Sequence, residues 1–221
     1  MAFPTISGSD SNKEAAAGTS HSVYLDACVK NDLLFVCFSA STGSTTITPP
    51  SGWTAAGVYG GTNVRTGIYY KKATGTGDGN KNYTFTTSAS KKCSWATYVI
   101  TPQAGMWVGC SGTSATATST NPNPPSHAPG IGLRDFLWLV PWGSGWNSAT
   151  PSATPTNFAN QIGQTGNSVD VPASWCADDT NAVSSYDPGT WTCTGSVEWI
   201  CWTVAFWEYP DPSGAFFALF D

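Results

Sequence analysis

His21 and His127 are the only imidazoles in this 221-residue chain, so they bound its acid–base chemistry near neutral pH. A serine hydrolase needs a nucleophile, a base and an orienting group, and no G-x-S-x-G turn is available to hold the serine. Gly52-Trp53 follows Pro-Pro-Ser, which makes a turn and not a nucleophile elbow, and His127 sits among prolines. A glycosidase needs two facing carboxylates, and none of the 14 acidic residues has a spacing that singles out a pair. Asp178-Asp179 is the only adjacent acidic pair, and it reads as a solvated loop. Gly75-Thr-Gly-Asp-Gly-Asn80 resembles a calcium-binding turn only in its glycines. It lacks the regular acidic ligands and the closing glutamate, and reads as a hairpin turn that uses glycine for positive φ. No glycine loop opens a helix to cradle phosphate. The expectation is a protein without catalytic residues and without a cofactor.

The seven cysteines, Cys28, Cys37, Cys93, Cys110, Cys176, Cys193 and Cys201, show no CxxC spacing and no Cys/His clustering of the kind zinc requires. Most read as buried thiols acting as small hydrophobes, with no metal bound. Cys193 and Cys201 flank Gly195-Ser196, and are the best candidates for a bridge across a hairpin.

The formal net charge is −5 and only 10% of residues are charged, against roughly 25% in an average soluble domain. No Lys/Arg run exceeds two residues, so the positive stripe that a nucleic-acid partner needs is missing. The longest apolar runs, such as Leu33 to Phe38, fall far short of the ~20 residues that span a bilayer. The first twenty residues hold no apolar stretch of the signal-peptide kind, which predicts synthesis in the cytoplasm without export. Ser, Thr, Gly and Asn replace charges on the surface, as suits a protein packed against neighbours or a neutral secreted β-domain.

The elements that carry these residues read as strands. Short β-branched and aromatic runs recur between Gly, Pro, Asn and Ser: Val23-Tyr-Leu25, Leu33 to Phe38, Gly67 to Lys71, Tyr83 to Thr87 and Trp95 to Ile100. Phe136 to Val140, Ser168 to Val171, Thr190 to Thr194 and Trp199 to Trp207 follow in the second half. Tyr83-Thr-Phe-Thr86 alternates as a half-buried strand does, whereas Ile200 to Trp207 is nearly all apolar and predicts cover on both faces. Only Asn12 to Ala17 offers a helical stretch, ended by Gly18. Ser119 to Pro129, rich in proline, reads as a linker between two units.

Those units look like worn copies. Tyr83-Thr-Phe-Thr-Thr-Ser through Cys93 to Pro102 aligns without a gap on Trp191-Thr-Cys-Thr-Gly-Ser through Cys201 to Pro210. Asn31-Asp-Leu-Leu-Phe-Val pairs with Arg134-Asp-Phe-Leu-Trp-Leu, and Thr48-Pro-Pro with Thr154-Pro155. Landmarks in one order argue for a duplicated β-unit. The expected fold is all-β, a single β-sandwich of jelly-roll type over residues 1–210, built from degenerate repeats at about 7–102 and 111–210. Residues 211–221 form an apolar tail. Its Phe216, Phe217, Leu219 and Phe220 are expected to dock on another chain, because Pro210-Asp-Pro212 should end the last strand and turn the chain outward.

The NDLLFV strand, then TPPSGWT, then IYYKKATG and YTFTTS, and finally Gly189-Thr-Trp-Thr with Trp202-Thr-Val-Ala-Phe206, resemble a loosely defined group of β-sandwich proteins among bacteriophage structural genes. The resemblance runs from about Ser7 to Pro210, although Asn157-Phe158 replaces Gly52-Trp53 in the second unit, which has no YYKK equivalent. It implies a virion component, foremost a head decoration (cement) protein. Its partners would be the major capsid protein or other virion proteins and copies of itself, with a trimer as the guess. The alternative is a tail- or fibre-associated or secreted carbohydrate-binding module. Trp53, Trp142 and Trp146, beside Gly/Ser-rich loops, would then face a surface glycan; the competing reading places these tryptophans in the core.

Overall fold

The computed structural model describes residues 3–103, 106–145, 150–166, 172–209 and 218–220, and these are overwhelmingly extended. The first half supplies β1 (Thr5–Leu25), β2 (Leu33–Ser41), β3 (Ile47–Thr48), β4 (Thr54–Gly60), β5 (Val64–Lys72) and β6 (Lys81–Thr101). The second supplies β7 (Trp107–Ser119), β8 (Arg134–Leu139), β9 (Trp142–Ser144), β10 (Pro151–Ala153), β11 (Ala159–Gln164) and β12 (Ala173–Val183). It ends with β13 (Thr192–Cys193), β14 (Val197–Tyr209) and β15 (Ala218–Phe220).

Each half builds one large sheet, and the second half adds a separate two-stranded sheet, β10-β13. The first large sheet is ordered β1-β6-β2-β5-β4, and the second, read from its other end with the short β15 at its edge left out, β7-β14-β8-β12-β11. Counting only these five long strands in each half, both sheets run first–fifth–second–fourth–third. The short strands correspond too: β3 pairs with the start of β6 at Ile47–Thr87, and β10 pairs with β13 at Pro151–Cys193. Cys93 and Cys201 both lie on the fifth strand of their half. The chain does not alternate between the two large sheets as a jelly roll's strands do, so that part of the expectation is corrected: the first half supplies one large sheet, and the second half supplies the other together with the β10-β13 pair.

The two sheets lie face to face, and the alternation of side chains decides what lies between them. Leu33, Phe35 and Cys37 of β2 and Ala96, Tyr98 and Ile100 of β6 point into a central core. They meet Leu137 and Leu139 of β8 and Ile200, Trp202, Val204 and Phe206 of β14. Phe35 and Phe206 touch edge-to-face across the gap at 5.5 Å between centroids. The odd-and-even partners of these residues point the other way, into two outer cores. Leu34, Val36 and Phe38 enter one, and Phe136, Trp138, Cys201 and Trp207 the other. This is why β2 and β14 carry near-continuous apolar runs: every residue of β2 is buried, as a strand covered on both faces requires.

Strand β6 makes its own cover. Ten extended residues span about 33 Å, yet the rings of Phe85 and Trp95 lie 5.3 and 5.8 Å from the same Phe38 ring. The strand therefore doubles back between them, and β1, its partner, absorbs the bend with register shifts between Glu14, Gly18 and Ser20. That bend takes in Asn12 to Ala17. The predicted helix is absent: Asn12, Lys13 and Glu14 pair with Trp95, Ser94 and Cys93 of β6, residues 15–17 fall in the register shift, and tertiary pairing overrides a weak local helix preference. In the second half, Trp191, β10 and β13 lie over the outer core, with Trp142 and Trp191 rings 6.0 Å apart.

The predicted linker at Ser119 to Pro129 is also corrected. It connects β7 to β8 within the second half, and His127 makes a two-way backbone bridge with Tyr186. The halves join earlier, between β6 and β7. Gly75 is extended, at φ 172°, and the left-handed residue of that turn is Asn80, at φ 51°. Ser168 to Val171 lies outside the described residues.

Candidate functional site

Trp53 and Trp142 are not platforms for a glycan. Trp142 is 0% and Trp53 8% exposed; the first packs in the outer core of the second sheet, and the second against Tyr83 and Phe85. Both fill volume under the folded-back strands, as large indoles do when an apolar recess is open to them. Trp146, Phe216 and Phe217 lie outside the described residues. Leu219 and Phe220 belong to β15, whose backbone runs parallel to Cys110–Gly112 on β7 of the same chain. At that point the tail returns to its own sheet, which differs from the outward departure that the prolines predict.

The structure does assemble chemical groups that spacing along the chain conceals. His21 is fully buried; its Nδ1 lies 2.6 Å from Glu14 Oε2, and its Nε2 3.0 Å from Thr87 Oγ1 and 3.4 Å from Cys93 Sγ. Carboxylate, imidazole and thiol thus stand in the order of a nucleophilic triad. The residues come from the bend where β1 and β6 double back. Their setting argues against nucleophilic chemistry. Cys93 is 0% exposed, and burial, with the Glu14 charge added, pushes its thiol far above the ordinary range. Reactive cysteines sit in exposed, electropositive surroundings, and this one does not.

The remaining cysteines follow the same rule. All seven are free and buried, so the Cys193–Cys201 bridge is not formed. Burial raises Cys193 to about 11 and lifts Cys37, Cys110, Cys176 and Cys201 as well. In the second half the Ser111 hydroxyl lies 2.7 Å from His127 Nε2, and both residues are buried. Among the described residues no group of three or more His, Cys, Asp or Glu side chains could hold a metal ion.

Asp78 closes the Gly75–Asn80 turn. Its carboxylate accepts from Lys71 Nζ at 2.5 Å, from the Thr74 amide at 2.8 Å and from the Tyr83 hydroxyl at 3.1 Å. Burial alone would raise its pKa, but the hydrogen bonds from Lys71 and Thr74 win and hold it well below the usual carboxylate range. This is a structural clasp between β5 and β6.

A cleft opens at the edge of the stacked sheets. It measures about 640 Å³ and lies where the β1 edge of the first sheet meets the β11 edge of the second. Phe3, Pro4, Thr5, Ile6 and Ser9 form one side, and Asn160, Gln161 and Ile162 the other. Tyr98, Leu137, Asp178 and Thr180 complete the lining. Asp178, expected in a solvated loop, sits within β12 and is only 9% exposed. Its Oδ2 accepts from Asn160 Nδ2 at 3.1 Å, while its Oδ1 is buried without a hydrogen-bond partner. Burial raises the Asp178 pKa, the Asn160 hydrogen bond opposes the rise, and the Asp179 charge adds to it. Asp179 points elsewhere, accepting from the Tyr186 hydroxyl at 2.7 Å. No family model, no curated protein and no solved structure matches this chain.

Proposed function

We propose that this chain is a non-enzymatic structural subunit of a bacteriophage virion, a decoration (cement) protein that assembles with copies of itself on the major capsid protein lattice. One observation carries the non-enzymatic part: the triad-like line of Glu14, His21 and Cys93 is closed, with both His21 and Cys93 fully buried. The virion part comes from the resemblance of the Leu33–Phe38, Thr48–Thr54 and Gly189–Phe206 segments to phage structural β-sandwiches. The surface agrees with both. Only 10% of residues are charged, and among the described residues the large hydrophobics left exposed are the scattered Val29, Tyr59 and Leu133. Such a face docks through hydroxyl and amide groups, with few charges to desolvate.

The corresponding strand order of the halves supports descent from one duplicated unit. Stacking two such sheets on a shared apolar core gives a thick, stiff block, which suits a subunit that clamps its neighbours. The reading is tested by incubating purified protein with undecorated shells, sedimenting them and counting bound copies by quantitative mass spectrometry. A copy number comparable with that of the major capsid protein supports decoration. A handful of copies per particle, or none, overturns it.

A further inference from the structure

We propose that the cleft between β1 and β11 binds a neutral sugar residue, with the Asp178 carboxylate accepting its hydroxyls. The inference stands apart from the virion role and would survive its failure.

Buried polar atoms normally find partners, and leaving one without is costly. Here one such atom, Asp178 Oδ1, belongs to a residue that lines the cleft. A ligand that donates hydrogen bonds there would satisfy the carboxylate.

No Lys or Arg lines the cleft, which removes phosphates, sulfates and acidic sugars. Apart from Asp178, the polar lining consists of hydroxyl and amide groups, on Thr5, Ser9, Asn160, Gln161 and Thr180. These groups both donate and accept, as sugar hydroxyls do. An ammonium ion only donates, and would leave the amide N–H groups unmatched. Phe3, Ile6 and Ile162 supply apolar wall for the C–H faces of a sugar ring. At about 640 Å³ the cleft falls within the range of small-molecule sites, roughly 300–1,000 Å³.

The backbone is irregular on both walls of the cleft. The pairing of β11 with β12 is irregular between Ala159 and Ile162, and Asn160 within that bulge adopts φ 45°. Strand β1 carries a second irregularity between Ile6 and Gly8, on the opposite wall. Bulges re-aim side chains beside binding sites, and this one sets the Asn160 amide against Asp178.

Isothermal titration of the full chain with glucose, galactose, mannose, N-acetylglucosamine, lactose and maltose, with butylammonium as a charged control, tests the site. Saturable binding of at least one sugar is expected, weakened about tenfold or more in Asp178→Asn and in Asn160→Ala. Asp178→Asn should keep the β-type circular dichroism spectrum and should not lower Tm, because it removes a buried carboxylate that lacks a full set of partners. A carboxylate serving only the fold would lower Tm when replaced. Absence of binding by every sugar, undiminished binding by Asp178→Asn, or binding of butylammonium alone overturns the proposal.

Discussion

His21 meets polar partners on both ring nitrogens and lies edge-on to Phe38 at 5.6 Å, so at the scale of single residues it is a keystone of the bend in β1 and β6. Replacing it by alanine opens a cavity and strips Thr87 and Cys93 of a neighbour. His21→Ala is expected to lower unfolding free energy by about 2–4 kcal/mol in urea denaturation. A catalytic histidine in a spacious site would cost little, and a loss under ~1 kcal/mol would contradict the structural role. Asp78 gives a prediction with a defined sign. Its folded pKa lies below the ordinary 3.8, so its contribution to stability is complete above that value and is lost as the pH falls through and below it. Asp178 and Glu208 are shifted upward and behave oppositely. The test is therefore a difference: wild type should lose its advantage over Asp78→Asn as the pH drops below about 4, followed by thermal melts. A constant gap across that range would show that the clasp does not depend on the ionised carboxylate.

At the scale of elements, the sheets approach closely where small side chains face each other. Ser94 donates to Ser174 at 2.9 Å across the gap, and a Cβ on Gly143 of β9 would overlap the Ser39 and Thr66 hydroxyls of the first sheet. Gly143→Ala must therefore push the sheets apart or break the Ser39–Thr66 hydrogen bond of 3.0 Å. A loss of about 1–3 kcal/mol is expected, the range for overpacking, read from the shift of the urea midpoint. An unchanged midpoint would mean that the sheets slide without cost. Much of this level was legible beforehand. The alternation in Tyr83–Thr86 and the two-faced runs of Leu33–Phe38 and Ile200–Trp207 read as they fold, because burial follows a period of two. Asn12–Ala17 misled, since Ala, Lys and Glu favour a helix only until a partner strand offers hydrogen bonds. The cleft was not legible at all. Its walls come from segments around residues 3–9, 98, 137, 160–162 and 178–180, and only the stacking of the two sheets makes them neighbours. The same holds for His21 and Cys93, which are 72 positions apart.

At the scale of the whole molecule, the stack has two outer edges of different character. Where β1 meets β11, Lys13 Nζ reaches the Thr165 carbonyl at 2.8 Å and Gln164 reaches the Ser11 carbonyl at 3.1 Å, and the cleft remains open. On the other side β15 lies along β7, which blunts an edge that would otherwise be free to pair with another chain. On the proposed decoration role, a block of this kind, with its reactive groups enclosed, would stabilise a shell by binding the assembled lattice in preference to the free capsid subunits. The direct measurement is the melting temperature of undecorated capsid shells titrated with the purified protein. The account predicts a rise that grows with concentration and saturates once the lattice is filled. Shell melting that stays unchanged at every concentration would contradict it.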